Sequence, residues 1–210
     1  MSNDSGQQGW VAGITGGIAC GKTEVGRILS GTGVEVIEAD EVARDVMKAG
    51  TPVFDRVVET FGSAIVGPDG EIDRELLGER VFSDERDRAA LNALAHPAIE
   101  DRLRAWADEI RARKACGAAV VPLLFEVGWE KVCDAVLCVV ADEALMMDRL
   151  CGRGLSESQA RQRIAAQMSV SEKARRADGI VENNRDLDTL RERTIEAWRA
   201  MLNKERENNA

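Results

Sequence analysis

The sequence has few of the residues that build metal centres and disulfide frameworks. Its 210 residues include one histidine, His96, and five cysteines, none of which form a C-x-x-C pair. This composition argues against a zinc site, and an odd number of cysteines fits reduced thiols. We therefore expect a protein of the cytoplasm.

Long apolar runs and an excess of basic residues are also missing. No stretch approaches the roughly 20 apolar residues of a membrane span, and residues 1–9 lack the basic and apolar regions of a signal peptide. The net charge of −9 argues against general binding to nucleic acid or anionic membranes. We expect a disordered leader at 1–9 and a single domain at 10–210 that acts on a small molecule, as a monomer or a weak homo-oligomer.

The most informative segment is a glycine-rich loop at residues 16–23, G-G-I-A-C-G-K-T. It matches G-x-x-x-x-G-K-[ST], follows an apolar run typical of a buried strand and precedes a helical pattern. Its glycines let backbone N–H groups turn toward a phosphate, Lys22 adds a positive charge, and the Thr23 hydroxyl can ligate Mg²⁺. Because strand, loop and helix agree, a chance match is disfavoured, and the loop predicts binding of a nucleoside triphosphate with Mg²⁺.

Apolar runs and helical periods alternate along the chain, which predicts an α/β fold with a parallel sheet. The predicted strands are 10–14, 34–38, 118–124, 135–140 and 179–183. The predicted helices are 22–29, 41–48, 52–61, 73–82, 84–95, 97–114, 143–151 and 186–204. We interpret 41–114 as a helical insert that holds the acceptor, 149–177 as a small Arg-rich lid, and 10–40, 115–148 and 178–204 as the core.

Asp40 is the best candidate for an acidic group on the acceptor side. It follows the second predicted strand at its carboxyl end, where ligands of open α/β sheets gather. A carboxylate there can accept a hydroxyl proton or hold a water on Mg²⁺. The alternative is an N-cap for a helix that begins at Glu41, and the two roles are compatible. No Asp follows the third predicted strand as in a Walker B motif, so Asp40 or Glu126 would supply any carboxylate near the metal.

Arg149 and Arg153 are the candidate lid arginines. They are four residues apart and would share a helix face directed at the phosphates. Guanidinium groups suit a developing phosphoryl charge, and a mobile lid can deliver them. The alternative is a solvated charged face that pairs with Glu157 and Glu172.

Cys20 lies inside the phosphate loop. The surrounding N–H groups and Lys22 are expected to favour its thiolate, which predicts inactivation by alkylating reagents and protection by ATP. The alternative is that Cys20 is simply a small residue that fits.

Six segments together resemble the dephospho-CoA kinase family. In order they are I-T-G-G-I-A-C-G-K-T, V-I-E-A-D-E-V-A-R, L-N-A-L-A-H-P, V-V-P-L-L-F-E, A-A-Q and A-D-G-I-V-E-N-N, spread from about Val11 to Trp198. The phosphate loop alone is shared by many NTPases, but the E-A-D and P-L-L-F-E segments are more specific. The resemblance implies transfer of the γ-phosphate of ATP to the ribose 3′-hydroxyl of dephospho-CoA, the last step of coenzyme A synthesis. It also implies a three-layer P-loop fold of the nucleoside monophosphate kinase type, with a five-stranded parallel sheet.

The resemblance also implies roles for individual residues. Those implied for catalysis are Asp40, Lys22, Arg149 and Arg153. Those implied for ATP are Gly17, Ile18, Ala19, Cys20, Gly21, Lys22, Thr23 and Glu24, with Asn183 near the adenine. Those implied for the acceptor are Asp40, His96, Leu123 and Glu126, and Mg²⁺ would meet Thr23 directly and Asp40 through water. The chain departs from the family pattern at Glu38 (commonly Asp), Cys20 (usually Ser) and Arg185 (frequently Gly), of which only Arg185 bears on a site, the adenine-side loop.

Three other functions remain open from the residues themselves. A nucleotide or nucleoside kinase with another acceptor would share the phosphate loop. An NTPase that hydrolyses without an acceptor is disfavoured, because the chain lacks both the N-K-x-D motif of GTPases and the Walker B pattern of motors. A binding module with an inactive loop is disfavoured by intact Lys22, Thr23 and Asp40.

Overall fold

The computed structural model describes residues 9–208. Residues 1–8 of the predicted leader, and 209–210 at the other end, lie outside the described residues. Gly9 is buried, and a Cβ there would lie 2.4 Å from the Cα of Arg111, so this last residue of the predicted leader belongs to the folded chain. Internal contacts divide the described chain into two units, 9–38 with 107–208 and Ala39–Trp106.

The first unit is built on a five-stranded sheet. Its strands are β1 (Trp10–Gly16), β2 (Glu35–Glu38), β3 (Cys116–Val120), β4 (Ala135–Val140) and β5 (Gly179–Glu182). Their order is β2-β3-β1-β4-β5, and every neighbouring pair is parallel. The central strand β1 is buried along its entire length, as expected for a parallel sheet covered on both faces. The predicted α/β fold with a five-stranded parallel sheet is confirmed.

The helices follow the predicted order with changed boundaries, except that 84–95 and 97–114 form one helix and that two further helices lie within the predicted lid at 149–177. They are α1 (Lys22–Ser30), α2 (Ala39–Val46), α3 (Pro52–Phe61), α4 (Arg74–Ser83), α5 (Glu85–Ala112), α6 (Glu143–Cys151), α7 (Glu157–Ala165), α8 (Val170–Arg176) and α9 (Leu187–Asn208). Short 3-10 helices lie at Ser63–Ile65 and Trp129–Val132. In the second unit, Thr51 caps α3 and Asp73 caps α4 through side-chain hydrogen bonds to backbone N–H groups, which fixes where these helices begin.

Helix α9 closes the first unit by packing on the sheet. Trp198 meets Trp10 of β1 edge to face, with ring centroids 5.0 Å apart and planes at 75°. Leu190 and Met201 are buried on the same side. The helical spacing of apolar residues in 186–204 predicts that Leu187 is buried too, but it is 57% exposed. Leu187 is the first residue of α9, so it precedes the turns that pack on the sheet.

The predicted helix break at His96–Pro97 is wrong, because α5 runs through Pro97 without interruption for 28 residues. A proline inside a helix removes one backbone hydrogen bond, here the bond to the carbonyl of Ala93. Both Ala93 and Pro97 are exposed, so water can replace that bond. Ile99 and Leu103, two and six residues after Pro97, stay buried and hold the helix in register.

The third strand is shorter than predicted and ends at Val120 rather than Leu124. It pairs with β1 on one side and β2 on the other, so every residue in it needs a backbone donor for the ladder. Pro122 has no N–H and cannot continue an interior strand. The chain leaves the sheet there and forms a loop over residues 121–128, which we call the β3 loop.

Candidate functional site

The phosphate loop at 16–23 connects the end of β1 to the start of α1, as predicted. Two of its glycines have conformations that other residues rarely adopt, with φ of 146° at Gly16 and 99° at Gly21. A Cβ at Gly16 would also lie 2.1 Å from the carbonyl oxygen of Val139 on β4. The loop can therefore lie this close to the sheet only with glycine at that position.

The loop presents donors to an anion. Gly21 occupies the N-cap of α1 and has no side chain, so the first N–H groups of the helix are left for a ligand. The Lys22 ammonium folds back over the loop and donates to the carbonyls of Gly17 at 2.8 Å and Gly16 at 3.3 Å. Thr23 is exposed in the first turn of α1. This arrangement is a cradle that can hold an anion, and we call it the phosphate cradle.

Residues far apart in the sequence fix the shape of the loop. Ala19 has φ of 60°, a left-handed conformation that is uncommon without glycine, and its carbonyl accepts a hydrogen bond of 3.0 Å from Arg149. Arg149 also donates to the carbonyl of Asn183 at 3.1 Å, and the Asn183 side chain donates to the carbonyl of Cys20 at 2.8 Å. The structure thus brings together Arg149, Asn183 and the loop, three of the predicted features of the site.

The two predicted lid arginines do not share a helix face. Arg149 lies in α6, which ends at Cys151, and Arg153 is exposed on the turn that follows. Gly154, with φ of 89°, continues that turn. The alternative pairing of these arginines with Glu172 is wrong, because Glu172 pairs with Arg175 of its own helix α8 and Arg149 donates to backbone carbonyls.

The expected thiolate at Cys20 is wrong. The side chain is fully buried, with its Sγ 3.4 Å from the Sδ of Met146. Burial raises the pKa of this thiol above its ordinary value, and the nearby Lys22 charge offsets only part of that effect. The sequence placed Cys20 correctly in the loop, but the thiol points into the core rather than toward the phosphates.

Cys20 should therefore react slowly with alkylating reagents. We expect iodoacetamide to modify the half-buried Cys151 first and Cys20 at least about tenfold more slowly, because reactivity follows thiolate content and access. Peptide mass spectrometry over a time course measures both rates, and urea-unfolded protein gives the rates without the fold. Rapid labelling of Cys20 with parallel loss of activity would contradict the buried position.

The β3 loop carries an ion pair that sequence reasoning missed. Glu126 accepts hydrogen bonds at its Oε1 from the Met168 N–H at 3.0 Å and pairs with Lys173 at 2.8 Å. The side chain of Lys173 is fully buried and also donates to the carbonyl of Pro122 at 2.7 Å. Lys173 lies in a run of charged residues, where a lysine is ordinarily exposed. The one sequence signal for its burial is its position three residues after Val170, which puts the two side chains on the same face of a helix. Leu123, on the same loop, is 39% exposed.

In the second unit, Asp40 lies within the first turn of α2, because that helix begins at Ala39. Its alternative assignment as the N-cap of a helix from Glu41 is therefore wrong. Asp40 is exposed, and it comes two residues after β2, which ends at the same edge of the parallel sheet as β1. His96, half-buried in the middle of α5, has its pKa lowered by burial. These placements leave the roles of Asp40 and His96 as predictions.

The described part of the chain offers no ready-made cage for a metal ion. Residues 9–208 contain no group of three or more His, Cys, Asp or Glu side chains placed to hold one. Mg²⁺ in nucleotide sites commonly takes one or two protein oxygens and completes its shell with phosphates and water. The hydroxyl of the exposed residue Thr23 at the phosphate cradle fits that requirement.

Within residues 9–208, none of the helices has the length and apolar character needed to cross a bilayer.

Comparison with known proteins shows a consistent relationship. The model of the family described as dephospho-CoA kinase matches residues 10–189. A dephospho-CoA kinase of Symbiobacterium thermophilum is 44% identical over 194 residues, which is 90% of this chain and 80% of that protein. Another, of Geobacter sulfurreducens, is 41% identical over 90% of this chain and 96% of its own length.

A solved structure shows the same relationship. A crystal structure of the Thermus thermophilus protein TT1252 superposes with a TM-score of 0.77 at 32% identity, covering 93% of this chain and 98% of that one. The fold, the phosphate cradle and the extent of these matches lead to one conclusion. The chain belongs to the dephospho-CoA kinase family, and it is a transferase of the P-loop kinase fold.

Proposed function

We propose that this chain transfers the γ-phosphate of ATP to the ribose 3′-hydroxyl of dephospho-CoA, giving coenzyme A and ADP. One observation carries the proposal: the phosphate loop is already folded into an anion cradle and tied to Arg149 and Asn183, in a chain of the dephospho-CoA kinase family. Phosphoryl transfer asks mainly for alignment of donor and acceptor and for neutralised charge, and a preformed cradle provides the donor half.

On the donor side, the N–H groups of the loop and of the first turn of α1 would hold the β- and γ-phosphates. Lys22, whose ammonium lies within 3.3 Å of the carbonyls of Gly16 and Gly17, is positioned to turn toward the transferring group. Arg149 holds the loop at Ala19 and adds a positive charge beside it. Asn183, tied to Cys20, would border the adenine of ATP.

On the acceptor side, Asp40 would orient the 3′-hydroxyl and accept its proton as the new O–P bond forms. Its exposure leaves the carboxylate accessible to a substrate. His96, in the unit Ala39–Trp106, would contact the acceptor. Leu123 and Glu126 of the β3 loop are proposed for acceptor binding as well. Arg153 on its exposed turn would complete the set of cations around the phosphoryl group.

Thr23 would hold Mg²⁺ through its hydroxyl, and Asp40 would support the ion through a bound water. When bound, the ion neutralises part of the phosphate charge. The location we propose is the cytoplasm, which the free state of all five cysteines supports. We propose a monomer or weak homo-oligomer.

The experiment that tests this function follows label from [γ-³²P]ATP into product in the presence of Mg²⁺ and dephospho-CoA, AMP, CMP or no acceptor. We expect rapid transfer to dephospho-CoA, with transfer to AMP, CMP and water slower by at least about a hundredfold, because unpaired polar groups in a site reject incomplete substrates. Equal turnover with all acceptors would favour an NTPase, and preference for AMP or CMP would favour a nucleotide kinase.

A further inference from the structure

Lys173 is the largest fully buried side chain of the described residues, so its charge does not reach the protein surface. Its ammonium contacts two groups of the β3 loop, the carbonyl of Pro122 at 2.7 Å and the carboxylate of Glu126 at 2.8 Å. Glu126 reaches solvent, so the buried member of the pair is Lys173 alone. A buried charge with a partner seldom adds stability beyond what an apolar residue of equal volume provides, but it fixes one geometry. The placement of this pair therefore needs an explanation other than stability.

The carbonyl of Pro122 joins three elements of the first unit. It accepts from Lys173 of α8 and from the Thr15 hydroxyl at 3.3 Å, and Thr15 is the residue that precedes the phosphate loop on β1. Helix α8 itself lies against that loop, because a Cβ on Gly17 would be 2.5 Å from the Cγ2 of Val170. Lys173 thus fixes the position of the β3 loop relative to the phosphate loop, which is the donor cradle of the proposed reaction.

Topology makes the β3 loop important for transfer. Strand β3 lies between β1, which leads into the phosphate loop, and β2, which leads toward Asp40. All three strands end at one edge of the sheet, so the β3 loop leaves the sheet between the donor loop and the point from which the chain continues to Asp40. Glu126 receives a second tie from the N–H of Met168, just before α8.

We infer that Lys173 is a positioning residue that holds the β3 loop in the geometry required to receive the acceptor. The donor cradle has its own ties through Lys22, Arg149 and Asn183, so it keeps its shape without Lys173. Loss of the buried charge should therefore affect the acceptor and spare ATP. This inference rests on the proposed function, because the acceptor is taken to be dephospho-CoA.

The test compares Lys173→Met with Arg175→Met. Methionine keeps the length of the side chain and removes the charge. Arg175 lies in the same helix but, among the described residues, its ion pair is with Glu172 one turn away. For Lys173→Met we expect kcat/KM for dephospho-CoA to fall at least about tenfold, since small misplacements of positioning groups cost that much or more. The Kd for ATP, measured by calorimetry, should stay within about twofold, and Arg175→Met should match the wild type in both.

Hydrogen exchange supplies a readout that does not depend on turnover. Amides of the β3 loop should exchange faster in Lys173→Met, whereas amides of residues 16–24 should not change. If Lys173→Met does not fold, the same comparison is made with Lys173→Gln, which keeps a donor for the carbonyl of Pro122 but removes the charge, and the same split is expected. Unchanged kcat/KM for dephospho-CoA, or equal losses for ATP and dephospho-CoA, would overturn the inference. Absence of dephospho-CoA turnover in the wild type would instead overturn the proposed function.

Discussion

Lys22→Met is expected to lower kcat/KM for ATP by at least about a hundredfold, the usual cost of losing one charged donor at a transferring group. The Lys22 ammonium places a full positive charge over the phosphate loop, 2.8 Å from the carbonyl of Gly17. Methionine preserves the length of the side chain, so α1 and the loop should keep their fold. Steady-state kinetics with saturating dephospho-CoA measures the effect, and circular dichroism checks the fold.

The matched control is Lys204→Met, a lysine exposed on α9. It removes the same charge from the protein and should leave kcat/KM within about twofold of the wild type, because distant surface charges are screened. A Lys22→Met protein that retains near-normal kcat/KM would contradict the assignment of the cradle as the ATP site.

Asp40→Asn is expected to lower kcat by at least about a hundredfold, the lower range for loss of a general base. Asparagine can still accept a hydrogen bond but cannot take the proton of the 3′-hydroxyl. ATP affinity should remain close to normal, because the donor cradle is built from other residues. Rapid-quench single-turnover experiments separate the chemical step from product release.

Asp45→Asn serves as the control for this variant. Asp45 is exposed on the same helix, α2, and pairs with Lys48, so the substitution changes the charge of the helix equally. We expect little change in kcat. Comparable losses in both variants would point to a general electrostatic effect of α2, and near-normal kcat in Asp40→Asn would reduce Asp40 to a residue of the first helical turn.

The features that the sequence predicted well are those encoded locally. The phosphate loop needs its glycines, Lys22 and Thr23 within eight residues, and the flanking strand and helix have their own apolar patterns. The parallel sheet follows from apolar runs that alternate with helical periods. These signals come from residues that are close together in the sequence. They can therefore be interpreted without knowing which distant residues they contact in the fold.

The features that were missed depend on partners elsewhere in the chain. Cys20 has a donor-rich neighbourhood in sequence, but its thiol packs against Met146 of α6, and burial outweighs those donors. In the sequence, Lys173 resembles a surface lysine. Only the structure shows that its partners are Glu126 and the carbonyl of Pro122, both in the β3 loop. Pro97 signals a helix start by its own chemistry, yet the buried residues that follow keep α5 continuous.

The central claim is that the γ-phosphate of ATP ends on one particular oxygen of dephospho-CoA. The most direct test locates the transferred phosphate of the unlabelled product by ³¹P NMR and the ³²P label by its release with a 3′-nucleotidase, with authentic coenzyme A as the reference. We expect a single labelled product that matches coenzyme A and loses its label to the 3′-nucleotidase. Label found only in inorganic phosphate, or at the 2′-oxygen or another position of the acceptor, would contradict the proposed function.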